Sequence, residues 1–174
     1  MKQKTPYPLD RVYTLLGCGP LVLISSALKG KANFMPIAWT TMVDFKPPLV
    51  ACCIGEQSYT HGVVKKTKEF VINIPGPQLL KTAFASGQLS GKKVDKFSKF
   101  SLTALPSSQV RAPLIAECEI NLECKVVDSG LVKKYNLFIA EVVAAWANKG
   151  CRFPRTLHHI SGRKFFLQGR AVSA

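Results

Sequence analysis

Between residues 117 and 126 polar and apolar side chains alternate without a break. Glu117, Glu119, Asn121, Glu123 and Lys125 fall on one phase, and Cys118, Ile120, Leu122, Cys124 and Val126 on the other. A period of two places successive side chains on opposite faces, so 115–127 reads as a long strand with one wet side. Asp128, Ser129 and Gly130 open a turn, and 135–147 returns as a strand apolar on both phases, completing a hairpin. Shorter runs at 12–16, 21–27, 33–43, 49–54 and 69–74 read as further strands, punctuated by GCGP, by Lys29-Gly30-Lys31 and by PGP. The run at 49–54 follows Pro47 and Pro48 and is apolar throughout, which predicts burial on both faces. Two helices are expected. Ser58 suits an N-cap for 59–68, although Gly62 weakens that helix, and Pro77 suits the first turn of 77–85, stopped near Gly87. Many short strands with few helices predict a mainly β protein, a closed barrel with peripheral helices, because closure removes exposed edges.

Length changes this picture little: 174 residues fit one domain, 1–174, with a core that needs no disulfide staples. With 47% apolar residues, global disorder is excluded. No apolar run reaches about 18 residues, so no membrane span is expected. The opening MKQKTPYPLDR carries charge without an apolar stretch behind it, so no signal peptide is expected either. The six cysteines include adjacent Cys52 and Cys53, which a strand points to opposite faces, and Cys118 and Cys124 on an apolar phase. None forms a CxxC pair, so a reduced, cytoplasmic protein is expected.

A formal charge of +14 is compatible with nucleic acid, an anionic cofactor, an acidic protein partner or solubility alone. Lys and Arg are spread from Lys2 to Arg170, densest at 65–68 and 92–99, without the aromatic platform of a nucleic-acid binder. The helix start at Ser58 is more specific. A first turn presents unpaired N–H groups and partial positive charge. Ser58 and Thr60 add hydroxyls, and no acidic residue occurs from 57 to 68. An anion from a ligand suits that vacancy; an ordinary cap followed by a solvated basic face accounts for the same residues. SGKKVDKF at 90–97 is either a phosphate clamp or a wet surface. At 33–41 a strand offers backbone N–H groups, Asn33 and the flat face of Trp39 to a planar ligand, and a core tryptophan fits equally well. His158 and His159 are adjacent and would diverge on a strand, so no metal site is expected there. No nucleophile–base spacing, GxGxxG or P-loop is present. Glu141 sits in an apolar run, either paired and buried or facing solvent.

Taken together, NFMPIAWT, DFKPPLVACCI, SYTHGVVKKTKEFVINIP, ASGQLSGKKVDKF and YNLFIAEVV resemble successive segments of the flavin reductase-like family, the FMN-binding split barrels that include flavoredoxin. The resemblance covers about residues 10–170. It implies a six-stranded split β-barrel that forms a homodimer with FMN at the interface. Asn33, Trp39 and Thr40 would meet the flavin, and Ser58 and Thr60 its phosphate, assisted by Lys92 or Lys96. Phe165 or Phe166 would approach the ring from the C-terminal strand. Tyr135 stands where the family often has His, and Ala140 where it usually has Gly, which makes reductase activity a weaker expectation than FMN binding. The implied function is an NAD(P)H-dependent oxidoreductase passing electrons through FMN to free flavin or another acceptor, with an acidic electron carrier or a monooxygenase as possible partner. The rivals are an electron-transfer flavoprotein reduced by a carrier such as ferredoxin, and a nucleic-acid-binding basic β-barrel.

Overall fold

A computed structural model describes residues 6–16, 19–151 and 154–169; Cys18, with part of the GCGP turn, lies outside them. In chain order the helical segments are a 3-10 turn at Leu9–Arg11, α1 (Tyr13–Leu16), α2 (Tyr59–Thr67), a 3-10 turn at Pro77–Leu79, α3 (Leu80–Gly87), α4 (Lys96–Lys99) and α5 (Val132–Tyr135). The strands are β1 (Val22–Leu28), β2 (Lys31–Ile37), β3 (Thr40–Phe45), β4 (Pro48–Cys53), β5 (Glu69–Ile74), β6 (Ala104–Leu105), β7 (Leu114–Ile115), β8 (Ile120–Asp128), β9 (Leu137–Ala147), β10 (Leu157–Ser161) and β11 (Lys164–Leu167).

Seven of these strands form one sheet in the order β2-β1-β5-β8-β9-β4-β3, and β10 pairs with β11 beside it. Every pairing in the large sheet is antiparallel. The two outermost strands, β2 and β3, follow one another in the chain with only Ala38 and Trp39 between them. So short a link forces the two edges together, and the sheet curls into a barrel with an unpaired seam. The six strands implied by the resemblance become seven because the run 33–43 breaks at Trp39, whose carbonyl accepts the Cys53 N–H at 3.0 Å.

Two cores follow from strands that are apolar on both phases. Val22 and Ile24 of β1 face the barrel interior with Ile37, Val50, Cys52, Phe70 and Phe138. Leu21 and Leu23 face outward, packed against Phe34, Ala83, Phe97 and Leu157. The middle of β4, Val50 to Cys52, is buried as expected. Burial pushes the Cys52 thiol up to about 12, with neighbouring Cys53 adding to the shift, and raises Cys53, Cys118 and Cys124 as well. These are poor thiolates at neutral pH.

Several sequence expectations are corrected. Within 12–16, Tyr13–Leu16 form a helix, with Leu15 and Leu16 exposed. So short a run, apolar but for Thr14, does not distinguish strand from helix, and no sheet edge accepts this one. The long strand starts at Ile120, because 116–119 turn away from the two-residue pair of β6 and β7, and buried Cys118 sits in that turn. Residue 135 ends α5, and the return strand begins at Leu137 after Asn136 in the left-handed region.

The largest correction concerns the supposedly wet face of β8. Asn121 and Glu123 are buried beneath the segment 107–115. Asn73 of β5 donates to Leu23 O and Ser25 Oγ and accepts from Ile115 N–H and Asn121 Nδ2. The Glu123 carboxylate accepts five hydrogen bonds, from Ser108 N–H and Oγ, Gln109 N–H, Val110 N–H and Trp146 Nε1. These polar residues fasten a covering loop to the sheet, and strand alternation cannot tell that from contact with water.

Candidate functional site

Three hollows follow one another along β2 and the link to β3. The first is lined by Asn33, Pro36, Ser58, Thr60, Gly91 and Lys96 and has a volume of about 340 Å³. It shares Pro36, Gly87 and Gln88 with the second, of about 370 Å³, which Phe84, His159, Arg163 and Phe165 also line. Ala38 belongs to both the second and the third, of about 560 Å³, where Tyr13, Trp39, Thr40, Cys53 and Leu137 meet.

The first hollow is polar because α2 starts in it. Ser58 is the N-cap: its Oγ accepts the His61 N–H at 3.1 Å and donates to the Gly55 carbonyl at 2.8 Å. The first turn carries no acidic residue. Thr60, almost fully buried, accepts a hydrogen bond from Asn33 Nδ2 at 2.9 Å. Asn33 Oδ1 is buried without a partner, and so is Oγ of Ser26, its cross-strand neighbour on the interior face. Of the two, Asn33 lines the hollow, and an unmet acceptor there suits a hydroxyl or N–H group of a ligand. Gly91 lines the same hollow, packed against Asn33. A Cβ there would overlap Asn33 Oδ1 and come within 2.9 Å of the Tyr59 ring.

Lys96 lies at 2% exposure in the same wall, donating to the carbonyls of Phe34 at 3.0 Å and Ser86 at 2.8 Å. Those bonds tie β2 to the end of α3 and leave the ammonium one N–H of three. Burial lowers its pKa to about 8. Among the described residues ion pairing is confined to Arg111 with Glu69, so this buried cation has no carboxylate partner. An anion in the hollow meets both the cation and the N-terminus of α2.

The structure thus brings Asn33, Ser58, Thr60 and Lys96 together. Phe165 lies in the adjoining hollow, and Trp39 and Thr40 in the third. Trp39 is 56% exposed, which disposes of the core-tryptophan alternative. Lys92 is exposed and outside the lining; its carbonyl accepts from Lys31 Nζ, which also stands 5.8 Å over the Tyr59 ring. Phe166 is exposed on the other face of β11. Glu141 pairs in register with Lys125 across β8 and β9, an opposite-charge couple on one face. The backbone carbonyl of Tyr135 accepts from Cys53 Sγ, close to the third hollow. His158 and His159 occupy consecutive positions of β10, whose partners in β11 are Phe166 and Phe165. Ser26, Lys31 and Gly91 were not singled out from the sequence. Only Gly91, inside SGKK, left a signal, as a glycine where the backbone approaches another group.

Comparison with known proteins adds four findings. The family model of the flavin reductase like domain matches residues 17–167. An uncharacterized protein of Archaeoglobus fulgidus is 40% identical over 113 residues, 65% of this chain and 64% of that protein, so the match spans just under two thirds of that relative's length. The reductase component of a 4-nitrophenol 4-monooxygenase/4-nitrocatechol 2-monooxygenase from Rhodococcus opacus is 28% identical over 154 residues, covering 86% of this chain and 80% of its own. Among solved structures, the FMN-binding domain of a flavin reductases-like enzyme from Shewanella baltica OS155 superposes with a TM-score of 0.84 at 28% identity, covering 98% and 96% of the two chains.

Proposed function

This chain belongs to the flavin reductase-like domain family, and we propose that it binds FMN along the groove beside β2 and works as an oxidoreductase. In this reading NAD(P)H supplies the electrons, and free flavin or another acceptor receives them. The observation that carries the proposal is the first hollow: a capped helix start without acids, a buried lysine without a counter-ion, and an orphaned Asn33 acceptor. The α2 N–H groups, Ser58 and Lys96 would hold the phosphate, and Asn33 would accept from the ribityl hydroxyls or the ring. Thr60 fixes the Asn33 amide so that Oδ1 faces the ligand. Phe165, Trp39 and Thr40 would flank the isoalloxazine. FMN held there would supply the hydride and electron-transfer chemistry. The residues around it bind, orient and limit access, so no acid–base pair is required.

Adding FMN to the purified protein is expected to give the two-band flavin spectrum with a perturbed shape. FMN is expected to bind about tenfold to a hundredfold more tightly than riboflavin, the difference that charge-assisted bonds to a phosphate make. FMN affinity should then fall as pH rises through about 8, where Lys96 loses its proton, while riboflavin affinity stays level. The phosphate itself is already largely dianionic there. Lys96→Met should flatten the FMN profile. Equal affinity for FMN and riboflavin would remove the anion site from this account.

The reading includes a homodimer. Met42, Val43 and Phe45 on edge strand β3 and Trp146 on β9 are exposed apolar side chains, and an uncovered edge of this kind is a pairing surface. Light scattering with FMN present is expected to give twice the chain mass at micromolar concentration, and a monomer would argue against a site completed by a second copy. The Rhodococcus relative serves a monooxygenase. By that likeness the proposed acceptor is a monooxygenase, and a charge of +14 would favour a partner with an acidic face.

A further inference from the structure

The +14 charge is spread along the chain, but the fold gathers part of it where the end of α2 lies against α5. We infer that this surface docks a protein partner whose contact face is rich in Asp and Glu, with Leu131 and Tyr135 as apolar contacts among five lysines. What the docking serves rests on the proposal above; the surface itself does not.

The two helices lie side by side over one end of the barrel. Val64 of α2 and Val132 of α5 enter the same core as Phe138. Lys68 Nζ, just past α2, donates to Ser129 Oγ, just before α5, at 3.0 Å. At the other ends the Ile54 N–H donates to the Asn136 carbonyl at 3.0 Å, and the His61 ring stands 5.4 Å from Phe138. The helix α5 therefore runs antiparallel to α2, and exposed Lys133 and Lys134 join exposed Lys65, Lys66 and Lys68.

Neither helix carries an acid, and among the described residues none of the five lysines is in an ion pair. Neighbouring acids are engaged elsewhere. Glu69 accepts from Arg111, Asp128 accepts the Gly130 N–H at 2.6 Å, and Glu56 lies ahead of the α2 cap. A helix C-terminus favours lysine, which accounts for Lys65 and Lys66. It accounts less for a single turn such as α5, and a surface shaped by solubility alone interleaves both signs. Like charges held together repel one another, and an acidic partner turns that cost into attraction.

The apolar groups among the lysines favour a protein over nucleic acid. Leu131 and Tyr135 are 44% and 54% exposed, and Lys134 Nζ stands 5.1 Å over the Tyr135 ring. An apolar centre with a charged rim is the anatomy of a protein interface. A nucleic-acid face adds arginines and several stacking rings, whereas α2 and α5 carry no arginine and Tyr135 is their one exposed ring. The surface also borders the third hollow: the Tyr135 carbonyl accepts from Cys53 Sγ at 3.5 Å, and Cys53 and Leu137 line that hollow. A partner seated here would stand beside the place proposed for the flavin ring.

The test follows the fluorescence anisotropy of a labelled peptide of about 15 residues, built from Glu-Glu-Leu repeats, against an oligothymidylate of similar charge. Wild type is expected to bind the peptide, less tightly as salt rises, because exposed charges are screened. Lys133→Glu/Lys134→Glu and Lys65→Glu/Lys66→Glu should each weaken it at least about tenfold, since attraction becomes repulsion at two positions. Lys133→Gln/Lys134→Gln should give a smaller loss of the same kind. Lys81→Glu/Lys164→Glu, the same charge change on α3 and β11, should alter peptide affinity less than about twofold. Leu131→Ser should weaken the peptide and leave the oligothymidylate unchanged. FMN affinity and the unfolding midpoint in urea should hold in every variant. Equal losses in the α5 pair and the α3–β11 pair would reduce the effect to net charge and overturn the inference. So would no peptide binding at roughly 1 mM. An oligothymidylate bound as tightly as the peptide, and lost with the same lysines, would overturn it in favour of nucleic acid. Lysine-dependent peptide binding in a protein that takes up no FMN would uphold this surface and end the FMN proposal.

Discussion

Glu123→Gln is expected to lower the free energy of unfolding by roughly 3 kcal/mol or more. The carboxylate is fully buried and accepts Gln109 N–H at 2.6 Å, Trp146 Nε1 at 2.8 Å, Ser108 N–H at 2.9 Å and Val110 N–H at 3.2 Å, with Ser108 Oγ as a fifth donor. Glutamine keeps the shape but presents an NH₂ where one oxygen stood, so donor faces donor and backbone N–H groups of the covering loop lose their acceptor. The pH dependence has a definite sign. Burial alone would raise the pKa of Glu123, but the hydrogen bonds from Ser108, Trp146 and Gln109 outweigh it and the net shift is downward. A depressed carboxylate contributes stability that is present above its unfolded value and lost as pH falls through the folded one. Urea unfolding should therefore show wild type losing stability below about pH 4, with Glu123→Gln lacking that loss. A variant within about 0.5 kcal/mol of wild type at pH 7 would show that the loop is held by something else.

Gly91→Ala is expected to weaken FMN about tenfold to a hundredfold while leaving a folded protein. The added Cβ occupies the place of Asn33 Oδ1 and presses on the Tyr59 ring. To relieve the overlap Asn33 must turn, which breaks its bond to Thr60 and points its acceptor away from the hollow. Overpacking of this kind costs about 1–3 kcal/mol, which sets the range for both stability and affinity. Gly62→Ala, in α2, is the control. A Cβ there meets nothing within 4 Å, so FMN affinity should hold and α2 should gain about 0.5–1 kcal/mol. Spectroscopic FMN titration of the two variants decides the matter: equal losses would mean that the glycines act through the backbone, and no loss at Gly91 would place the ligand elsewhere.

Much of the site was legible because it is local. The N-cap at Ser58 and the acid-free turn after it are consecutive residues, and the structure builds them as a capped helix of nine residues. Lys96 was legible as a charge and illegible as a position. Nothing in SGKKVDKF distinguishes the lysine that drops into the wall, bonded to Phe34 and Ser86, from Lys92, which stays outside. The burial of each depends on where α4 packs against β2.

The amino-acid sequence by itself determined the strand-rich architecture, the apolar faces of β1, β4 and β5, the cap of α2 and the placement of cysteines in apolar surroundings. Each of these follows from neighbours within a few positions, through the periods of strand and helix and the needs of a helix start. Tertiary structure alone decided that the polar phase of β8 is an interior network rather than a wet face, because the segment that covers Glu123 lies more than ten residues away in the chain. It also decided that Tyr13–Leu16 is a helix and that 33–43 bends into two edge strands at Trp39. The meeting of Gly91 with Asn33, and of Arg163 with Phe84, was likewise settled by packing. Alternation reports which side chains share a face; only the rest of the folded chain determines what that face meets.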